Sequence, residues 1–598
     1  MKGPLLERYA RVQHSRFSRF LHRRIRDEHM LLLGLAFVVG VGSGLGARVF
    51  EFVIETARSQ FTRLAVHLPF GVYSVPVGQL VTLLLGGLAG GVLLHTLARS
   101  SRGHGVPDVM ACVAVGGGRI APRVAAETAV TAGVCIGAGG SAGPEGPIVQ
   151  IGSSIGSSIG RFMGMSTERL RVLAACGAAG GISAIFGAPL AGVMFAVEVI
   201  LGDFGARALT PIVLSSVLAA VTHQVFVSWE PRFLVPDHGF IQFREVPLLV
   251  VLGALAGVVS WIFIRLLYRV EDAFREAWIP GWLKPAVGMT GVGVLAWGIP
   301  QVLGDGYGVI TDILNGRIAF GVLGILIFAK LLATCLTVGS GNVGGLFAPS
   351  LVIGATLGGA FGMAVEHFLR PGDTGIIALY ALVGMGAVIA GTTHATITAI
   401  LLIFELTDDY AITLPTMLAA ATAVVLASRL QRESIYSLQL VRRGIQLKRG
   451  VEVGVLASLR VRVVMREVPG LVPEAMRFDE LRSLIERTTE NTFPVVDAEG
   501  RLTGVIAYQD IRNIPSQQRS PDMDRLVLAG DIASRDLVVV REEQSLDEVM
   551  NLFGLRDLSM LPVVDSPEGM RLLGVVYRRD VLTAYRRALL DRSGSGSG

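Results

Sequence analysis

A glycine-rich loop that carries one carboxylate is the part of the sequence whose residues most suggest chemistry. Residues 140–152 read GSAGPEGPIVQIG and run directly into an apolar segment. The N–H groups of such a loop and the positive end of the following helix attract an anion. Glu145 lies at this point and is itself an anion, so it is a candidate gate or proton carrier that competes with a bound anion. The alternative is an ordinary turn with Glu145 solvated.

The composition indicates a polytopic, all-α membrane protein. The 598 residues are 51% hydrophobic and only 17% charged, and they include 74 glycines. Weakly charged apolar runs recur between residues 31 and 427. Several of these runs are shorter than the roughly 20 residues that a full span needs. We therefore expect tilted, partial and re-entrant helices.

The distribution of basic residues predicts that both ends of the chain are cytoplasmic. Residues 1–28 carry eight Lys or Arg before the first apolar run, and a second basic collar follows the last run. By the positive-inside rule, such collars lie on the cytoplasmic face. The second collar consists of Arg429, Arg432, Arg442, Arg443, Lys448 and Arg449. The net charge of +5 reflects these collars, so no nucleic-acid partner is expected. The four cysteines lack metal-ligand spacing, so no metal site is expected.

The apolar part contains an internal repeat. Residues 147–156 align without gaps with residues 349–358, and residues 177–199 align with residues 384–406. The second pairing matches Glu198 with Glu405. Two halves with glycine-broken segments at equivalent positions are typical of inverted-repeat transporters, whose site lies near mid-membrane. Chance similarity between apolar sequences is the alternative. If the halves are inverted, the loops before Pro147 and Pro349 direct bare amides at one point, which suits a monovalent anion.

Several motifs in the correct order resemble the CLC family of chloride channels and chloride/proton exchangers. Residues 103–107, GHGVP, resemble the family's first anion loop, which implies anion contacts at His104, Gly105 and Val106. Residues 143–147, GPEGP, resemble its gate loop, which places Glu145 at the gating glutamate and Gly143 and Gly146 beside it. The resemblance also implies anion contacts from the amides in GLFAP, residues 345–349, and from a later tyrosine hydroxyl. These residues are Leu346, Phe347 and Tyr436.

Two departures from the family pattern alter the anion contacts. His104 stands where the family usually has serine, and an imidazole can link anion occupancy to pH near neutrality. The alternative is that His104 points away and bonds to the backbone. Pro144 replaces the basic residue before the gate and removes one backbone donor there.

A third departure concerns the proton. Family exchangers have an intracellular proton glutamate directly after the position of Glu198, and here that position is Val199. Valine cannot carry a proton, so the sequence favours a passive chloride channel gated by Glu145. A chloride/proton exchanger that uses another relay is the alternative, and a fluoride exporter is disfavoured. Glu198 and Glu405 are expected to cap or pair with backbone groups.

The composition becomes that of a soluble protein from about residue 461, and a second repeat appears there. Residues 491–497 followed by 502–510 resemble residues 559–565 followed by 573–580, and each unit has the pattern helix, strand, strand, helix. The pair resembles tandem α/β CBS domains, which implies binding of adenine nucleotides (ATP, ADP or AMP). The ribose-contacting acids would be Asp510 and Asp580. Ala507 and Tyr577 replace the usual hydroxyl residues, and a purely structural role in dimerisation is the alternative.

The resemblance also implies a homodimer in the inner membrane, with chloride as the permeant ligand and no required cofactor. An embedded enzyme or receptor is disfavoured, because no catalytic triad, metal cluster or phosphate loop is evident. The expected domains are a basic cytoplasmic segment (1–28), a transmembrane domain (29–437, with repeats 29–227 and 246–437), a basic linker (438–458), two CBS domains (459–516 and 524–592) and an added Ser/Gly tail (593–598).

Overall fold

The structure, a computed structural model, forms two compact units, Met1–Leu447 and Lys448–Gly598, and each has its own apolar core. The residues that it describes are 28–67, 75–97, 105–227, 232–233, 235–236, 243–445, 456, 459–468, 470–488, 492–508, 527–556, 558–566 and 568–585. The predicted N-terminal basic segment lies almost wholly outside these residues, and His104, Asp510, much of the 438–458 linker and the 593–598 tail also lie outside them.

The first half of the membrane unit is a run of helices of unequal length. They are α1 (Glu28–His67), α2 (Val75–Leu97), α3 (Val106–Ala114), α4 (Pro122–Gly137), α5 (Glu145–Phe162), α6 (Thr167–Phe186), α7 (Pro189–Phe195) and α8 (Ala206–Gln224). A π-helical turn, Ala196–Leu201, extends α7. Such turns occur often at functional sites.

The second half repeats this order of long and short helices. It comprises α9 (Val246–Glu276), α10 (Lys284–Gly298), α11 (Tyr307–Leu314), α12 (Phe320–Gly339), α13 (Phe347–Leu369), α14 (Gly375–Thr393), α15 (Thr396–Thr407) and α16 (Thr413–Leu430), and a short α17 (Ser437–Arg442) follows. Within the described residues, eight helices are long and apolar enough to cross a membrane. Helices α3 and α11, with nine and eight residues, are too short to do so. The predicted inverted repeat with partial helices is confirmed.

Glycines allow the same helix pair to pack closely in both halves. A Cβ added to Gly152 of α5 would meet the carbonyl oxygen of Gly177 in α6. A Cβ added to Gly354 of α13 would lie 2.5 Å from the carbonyl oxygen of Gly384 in α14. Real Cβ atoms do not approach so closely, so both contacts require glycine.

The second unit contains two small sheets with the predicted α/β pattern. Strand β1 (Val472–Pro473) pairs in parallel with β2 (Thr492–Val496), which pairs antiparallel with β3 (Leu502–Ala507). The second sheet is the antiparallel pair β4 (Met560–Val564) and β5 (Leu572–Tyr577). The accompanying helices are α18 (Phe478–Arg487), α19 (Ala529–Ile532) and α20 (Leu546–Arg556).

Candidate functional site

The two glycine-rich loops of the membrane unit meet and hydrogen-bond to each other. The Gly143 amide donates to the Gly345 carbonyl at 3.0 Å, and the Gly345 amide donates to the Gly143 carbonyl at 2.7 Å. These residues are equivalent in the two halves, since each lies four positions before the aligned Pro147 or Pro349. The contact therefore brings the first turns of α5 and α13 side by side.

Glu145 is completely buried at this junction. Its Oε1 accepts a hydrogen bond from the Ala348 amide at 2.9 Å, and its Oε2 is buried with no hydrogen-bond partner among the described residues. The carboxylate from the first half therefore lies on the helix N-terminus of the second half. Helix N-termini attract negative charge, which favours this position while the carboxyl group is ionised.

Glycine is required on both sides of this carboxylate. A Cβ at Gly345 would lie 2.5 Å from the Glu145 Cδ and Oε1 atoms, and a Cβ at Gly143 would also meet the carboxylate. The Gly143 amide is used by the loop pairing, so in this structure Gly143 shapes the site through its backbone and its lack of a side chain.

A cavity of about 220 Å³ lies next to this junction and collects most of the predicted anion contacts. Gly105 and Val106 at the start of α3, Gly146, Leu346 and Tyr436 all line it. Three of the surrounding helices, α3, α5 and α13, present their N-terminal ends here. The amides at such ends have no partner within their own helix, so the wall is suited to a small anion without a Lys or Arg at its centre.

Aromatic rings close the wall of the site. Phe347 packs edge-on against Phe195, with ring centroids 5.5 Å apart, and it stacks on Tyr436 at 6.3 Å. The Tyr268 hydroxyl donates to the Ile435 carbonyl at 2.6 Å, which fixes the chain directly before Tyr436.

Gln150 is a site residue that the sequence analysis did not identify. Its Oε1 accepts a hydrogen bond from the Gly105 amide at 2.7 Å and another from the Thr128 hydroxyl at 3.1 Å. Gln150 thus links α5 to Gly105 at the start of α3 and fixes the orientation of that amide. It lies inside the aligned repeat, where its equivalent is Val352. A polar residue aligned with an apolar one is the sequence signal that could have identified Gln150.

Glu198 and Glu405 each cap the helix that carries the other. Glu198 lies in the π-helical turn that extends α7 and caps α15, and Glu405 lies in α15 and caps α7. The Glu198 carboxylate accepts hydrogen bonds from the Thr398 amide at 3.0 Å and the Thr398 hydroxyl at 2.7 Å. The Glu405 carboxylate accepts from the amides of Leu190 and Ala191, both at 2.8 Å. These contacts bind the first turns of α15 and α7, which agrees with the capping role expected from the sequence.

Charged residues form a cluster at the edge of the cavity. Arg443 and Glu271 line it, and Arg443 bonds to Asp108 of α3 at 2.7 Å. Glu271 bonds to Arg275 at 2.9 Å. Arg442 pairs with Asp272.

In the second unit, the predicted acid Asp580 is bound to Arg466 at 2.6 Å. Its other oxygen, Oδ2, is buried with no hydrogen-bond partner among the described residues. Arg466 also exchanges two backbone hydrogen bonds of 3.0 Å with Val575 of β5, which holds it next to Asp580.

Comparisons with known proteins cover both units. Residues 85–428 match the family described as Voltage gated chloride channel, and residues 461–516 and 529–587 match the CBS domain. A protein of Ralstonia nicotianae, provisionally named a ClcB-like chloride channel protein, is 35% identical over 69% of this chain and 97% of its own. The H(+)/Cl(-) exchange transporter ClcA of Vibrio campbellii is 30% identical over 73% of this chain and 94% of its own. The structure of a slow cyanobacterial Cl-/H+ antiporter, 28% identical, matches with a TM-score of 0.63 over 69% of this chain and 97% of that one.

The prediction of a passive chloride channel is wrong. The ClcA relative and the cyanobacterial antiporter are both exchangers by name, and each is matched over nearly its whole length. The prediction relied on Val199, which is apolar and 5% exposed. A valine removes one proton carrier, but it does not prevent a proton from using another path, so this single residue could not decide the mechanism.

Proposed function

We propose, from the premise that this chain belongs to the Voltage gated chloride channel family, that it exchanges chloride for protons across the membrane it spans. The observation that carries the proposal is Glu145, a fully buried carboxylate bound to a helix N-terminal amide beside a cavity that is lined by further helix N-termini. A group that binds a proton and also competes for an anion site links the two ions.

The exchange follows from the charge of Glu145. While ionised, its carboxylate occupies the Ala348 amide and keeps an anion from that position. Protonation makes the side chain neutral, so its attraction to the helix N-termini weakens and it leaves. Chloride from the cavity then reaches the amides that the carboxylate has left. Return of the carboxylate requires release of its proton and displaces chloride, so the two movements are coupled.

Chloride binding is supported by the composition of the cavity wall. The wall combines backbone amides at Val106, Gly146 and Leu346 with Tyr436, while the Gly105 amide is bound to Gln150. Neutral donors hold a monovalent anion weakly enough to release it, which transport requires.

The reversal potential of the purified protein tests the exchange directly. In a planar bilayer with equal chloride on both sides and a pH difference of about two units, an exchanger reverses away from zero because the proton gradient drives current. We expect a displaced reversal potential that changes sign with the pH gradient. A reversal potential that stays at the chloride equilibrium value at every pH difference would contradict the proposal.

We further propose that the chain is a homodimer of the inner membrane with both ends in the cytoplasm. The basic collar after α16 supports this orientation. Exposed apolar side chains on α8 and α16 offer a surface for a second copy or for lipid. They include Val213, Val217, Val221, Leu414, Met417 and Val425.

For the second unit we propose adenine-nucleotide binding at Asp580. The support is its buried, unpartnered Oδ2 and the adjacent Arg466, which offers positive charge for a phosphate. Thermal unfolding of the full chain with millimolar ATP, ADP or AMP tests this. A stabilisation that Asp580→Asn removes supports binding. An unchanged unfolding temperature with all three nucleotides contradicts it and leaves the two CBS domains with a structural role.

A further inference from the structure

An exchanger needs a proton route from Glu145 to the cytoplasmic solution, and the position after Glu198 does not supply one. Val199 and its equivalent in the second half, Leu406, are apolar and buried, at 5% and 0% exposure. The cavity, by contrast, begins at Gly146 and Leu346, the neighbours of Glu145 and Phe347. Its volume of about 220 Å³ is enough for several water molecules, which can pass protons along hydrogen bonds.

Glu271 of α9 is the one carboxylate among the described residues that line this cavity. Its side chain is 34% exposed, so it contacts both the cavity and the solution. Gly339 at the end of α12 packs against its backbone, since a Cβ there would lie 3.2 Å from the Glu271 nitrogen. Ionisable residues inside membrane helices are costly, and they commonly mark ion or proton pathways.

The groups around Glu271 keep its charge balanced. On its own helix it bonds to Arg275 at 2.9 Å, and Arg275 also pairs with Asp272 at 3.4 Å. From the chain around α17, Tyr436 and Arg443 line the same cavity. The remaining neighbours are the Arg442–Asp272 pair, the Asp108 partner of Arg443, the Tyr268 hydroxyl bound to the Ile435 carbonyl, and the non-ionisable Val338 and Gly339 of α12.

We propose that Glu271 is the cytoplasmic proton-transfer residue of this exchanger, a role that takes the place of the missing glutamate at Val199. The proposal rests on the proposed exchange function. The Glu271 carboxylate accepts a proton from the cytoplasmic solution and becomes a neutral acid. It then gives the proton through the cavity to the Glu145 carboxylate, and Glu271 regains its negative charge. The reverse sequence returns the proton, so no other reactant is needed.

The same geometry explains how a carboxylate can line a passage for chloride. Because Arg275 pairs with Glu271, an entering anion meets a neutral pair instead of an isolated negative charge. Arg443 adds a cation to the same wall, and Asp108 partly offsets its charge. Anion entry and proton entry can therefore share one passage.

The test is to measure proton and chloride flux together in proteoliposomes that hold the full chain. The variants are Glu271→Gln, which cannot exchange a proton, and Glu271→Asp and Glu271→His, which can. Glu276→Gln is the matched control, because it makes the same substitution at an exposed residue of α9 that does not line the cavity. For E271Q we expect proton flux to fall at least about tenfold, since proton transfer by a placed side chain typically contributes more than that. Chloride flux should stay within about twofold, because the neutral donors of the site are unchanged.

The outcomes separate this proposal from the exchange function. E271D and E271H should retain proton flux, with the pH profile of E271H displaced towards higher pH because imidazole titrates near neutrality. If wild-type protein moves protons and E271Q keeps the wild-type proton-to-chloride ratio, Glu271 is not the transfer residue. The same conclusion follows if E276Q loses as much proton flux as E271Q, or if proton and chloride flux fall in equal proportion. If E271Q does not fold, loss of proton flux in both E271D and E271H overturns the proposal. Absence of proton movement in wild-type protein contradicts the exchange function itself.

Discussion

Gly143 and Gly345 open equivalent loops in the two halves of the membrane unit, yet two positions later the first half has Glu145 and the second has Phe347. The carboxylate of the first half lies on the Ala348 amide of the second. Phe347 instead packs between Phe195 and Tyr436 and forms a wall of the site. The first half therefore supplies the carboxylate, and the second half supplies the helix N-terminal amide that binds it.

Where the halves are alike, the shared residues hold the fold together. Glu198 and Glu405 cap helices in opposite halves, and their bonded partners are equivalent as well. The close contacts of Gly152 with Gly177 and of Gly354 with Gly384 are also repeated. Where the halves differ, as at Glu145 and at Gln150, the side chain binds an amide at the start of a helix beside the cavity. The repeated residues therefore support the fold, and the residues that differ between the halves shape the candidate site.

The largest expected effect tests the shared packing. Gly152→Leu and Gly354→Leu each place a side chain against a backbone carbonyl of the facing helix. Each should cost about 3 kcal/mol or more and prevent recovery of folded protein. The measurement is the monodisperse fraction after detergent extraction. Gly321→Leu in α12 is the control, because a Cβ there has nothing within 4 Å. Failure of only one of the two glycine variants would show that the halves do not share this constraint.

The next effect tests the position where the halves differ. In wild-type protein, chloride flux should rise as pH falls, because protonation neutralises Glu145 and frees the site. Glu145→Gln removes the titrating group, so its flux should be high and should not change with pH. The measurement is chloride efflux from vesicles at a series of pH values. A mutant that keeps the wild-type pH dependence would remove Glu145 from this role.

A smaller effect, of similar size in both halves, should follow from removing the charge of the two capping carboxylates, Glu198 and Glu405. Glu198→Gln and Glu405→Gln each weaken charge-assisted bonds to a helix N-terminus, at a cost of about 1–2 kcal/mol. Thermal unfolding in detergent should show similar decreases, with Glu198 slightly the more sensitive because it also bonds to the Thr398 hydroxyl. A decrease in only one variant would indicate that the two caps are not equivalent.

The smallest effect concerns Gln150. Gln150→Leu removes the bonds to Gly105 and Thr128 and makes the position resemble Val352 of the other half. These hydrogen bonds contribute about 1 kcal/mol to holding the start of α3 in place. Their loss should weaken chloride binding roughly fivefold and leave the fold intact. Calorimetric titration with chloride measures this change, and an unchanged affinity would show that Gln150 does not orient the loop.

The sequence predicted the repeat and the main motifs because both depend on local signals. Glycine and proline spacing marks the two loops, and the alignment of the halves pairs Glu198 with Glu405, whose capping bonds are equivalent in the fold. The Ala348 amide was not predicted as the partner of Glu145, because the sequence analysis assigned only the neighbouring amides of Leu346 and Phe347 a role, as contacts of the anion. This contact depends on the pairing of loops far apart in sequence, which only the folded chain shows.

Two further features could not be read from the sequence. Glu271 lies near the end of the long apolar helix α9 and has the spacing of an ordinary surface ion pair with Arg275, so only its place in the cavity wall distinguishes it from such a pair. The prediction of a channel was wrong because it depended only on the absence of a carboxylate at Val199. Whether a proton has another path depends on the cavities of the folded chain.

The most direct test of the account is chloride-driven proton transport by wild-type and Glu145→Gln protein, measured side by side. Proteoliposomes with a chloride gradient and no initial pH difference are monitored with a pH electrode. Wild-type protein should move protons against their own gradient as chloride flows, and Glu145→Gln should carry chloride with no proton movement. Chloride flow without proton movement in wild-type protein, or equal proton movement in the two proteins, would contradict the account.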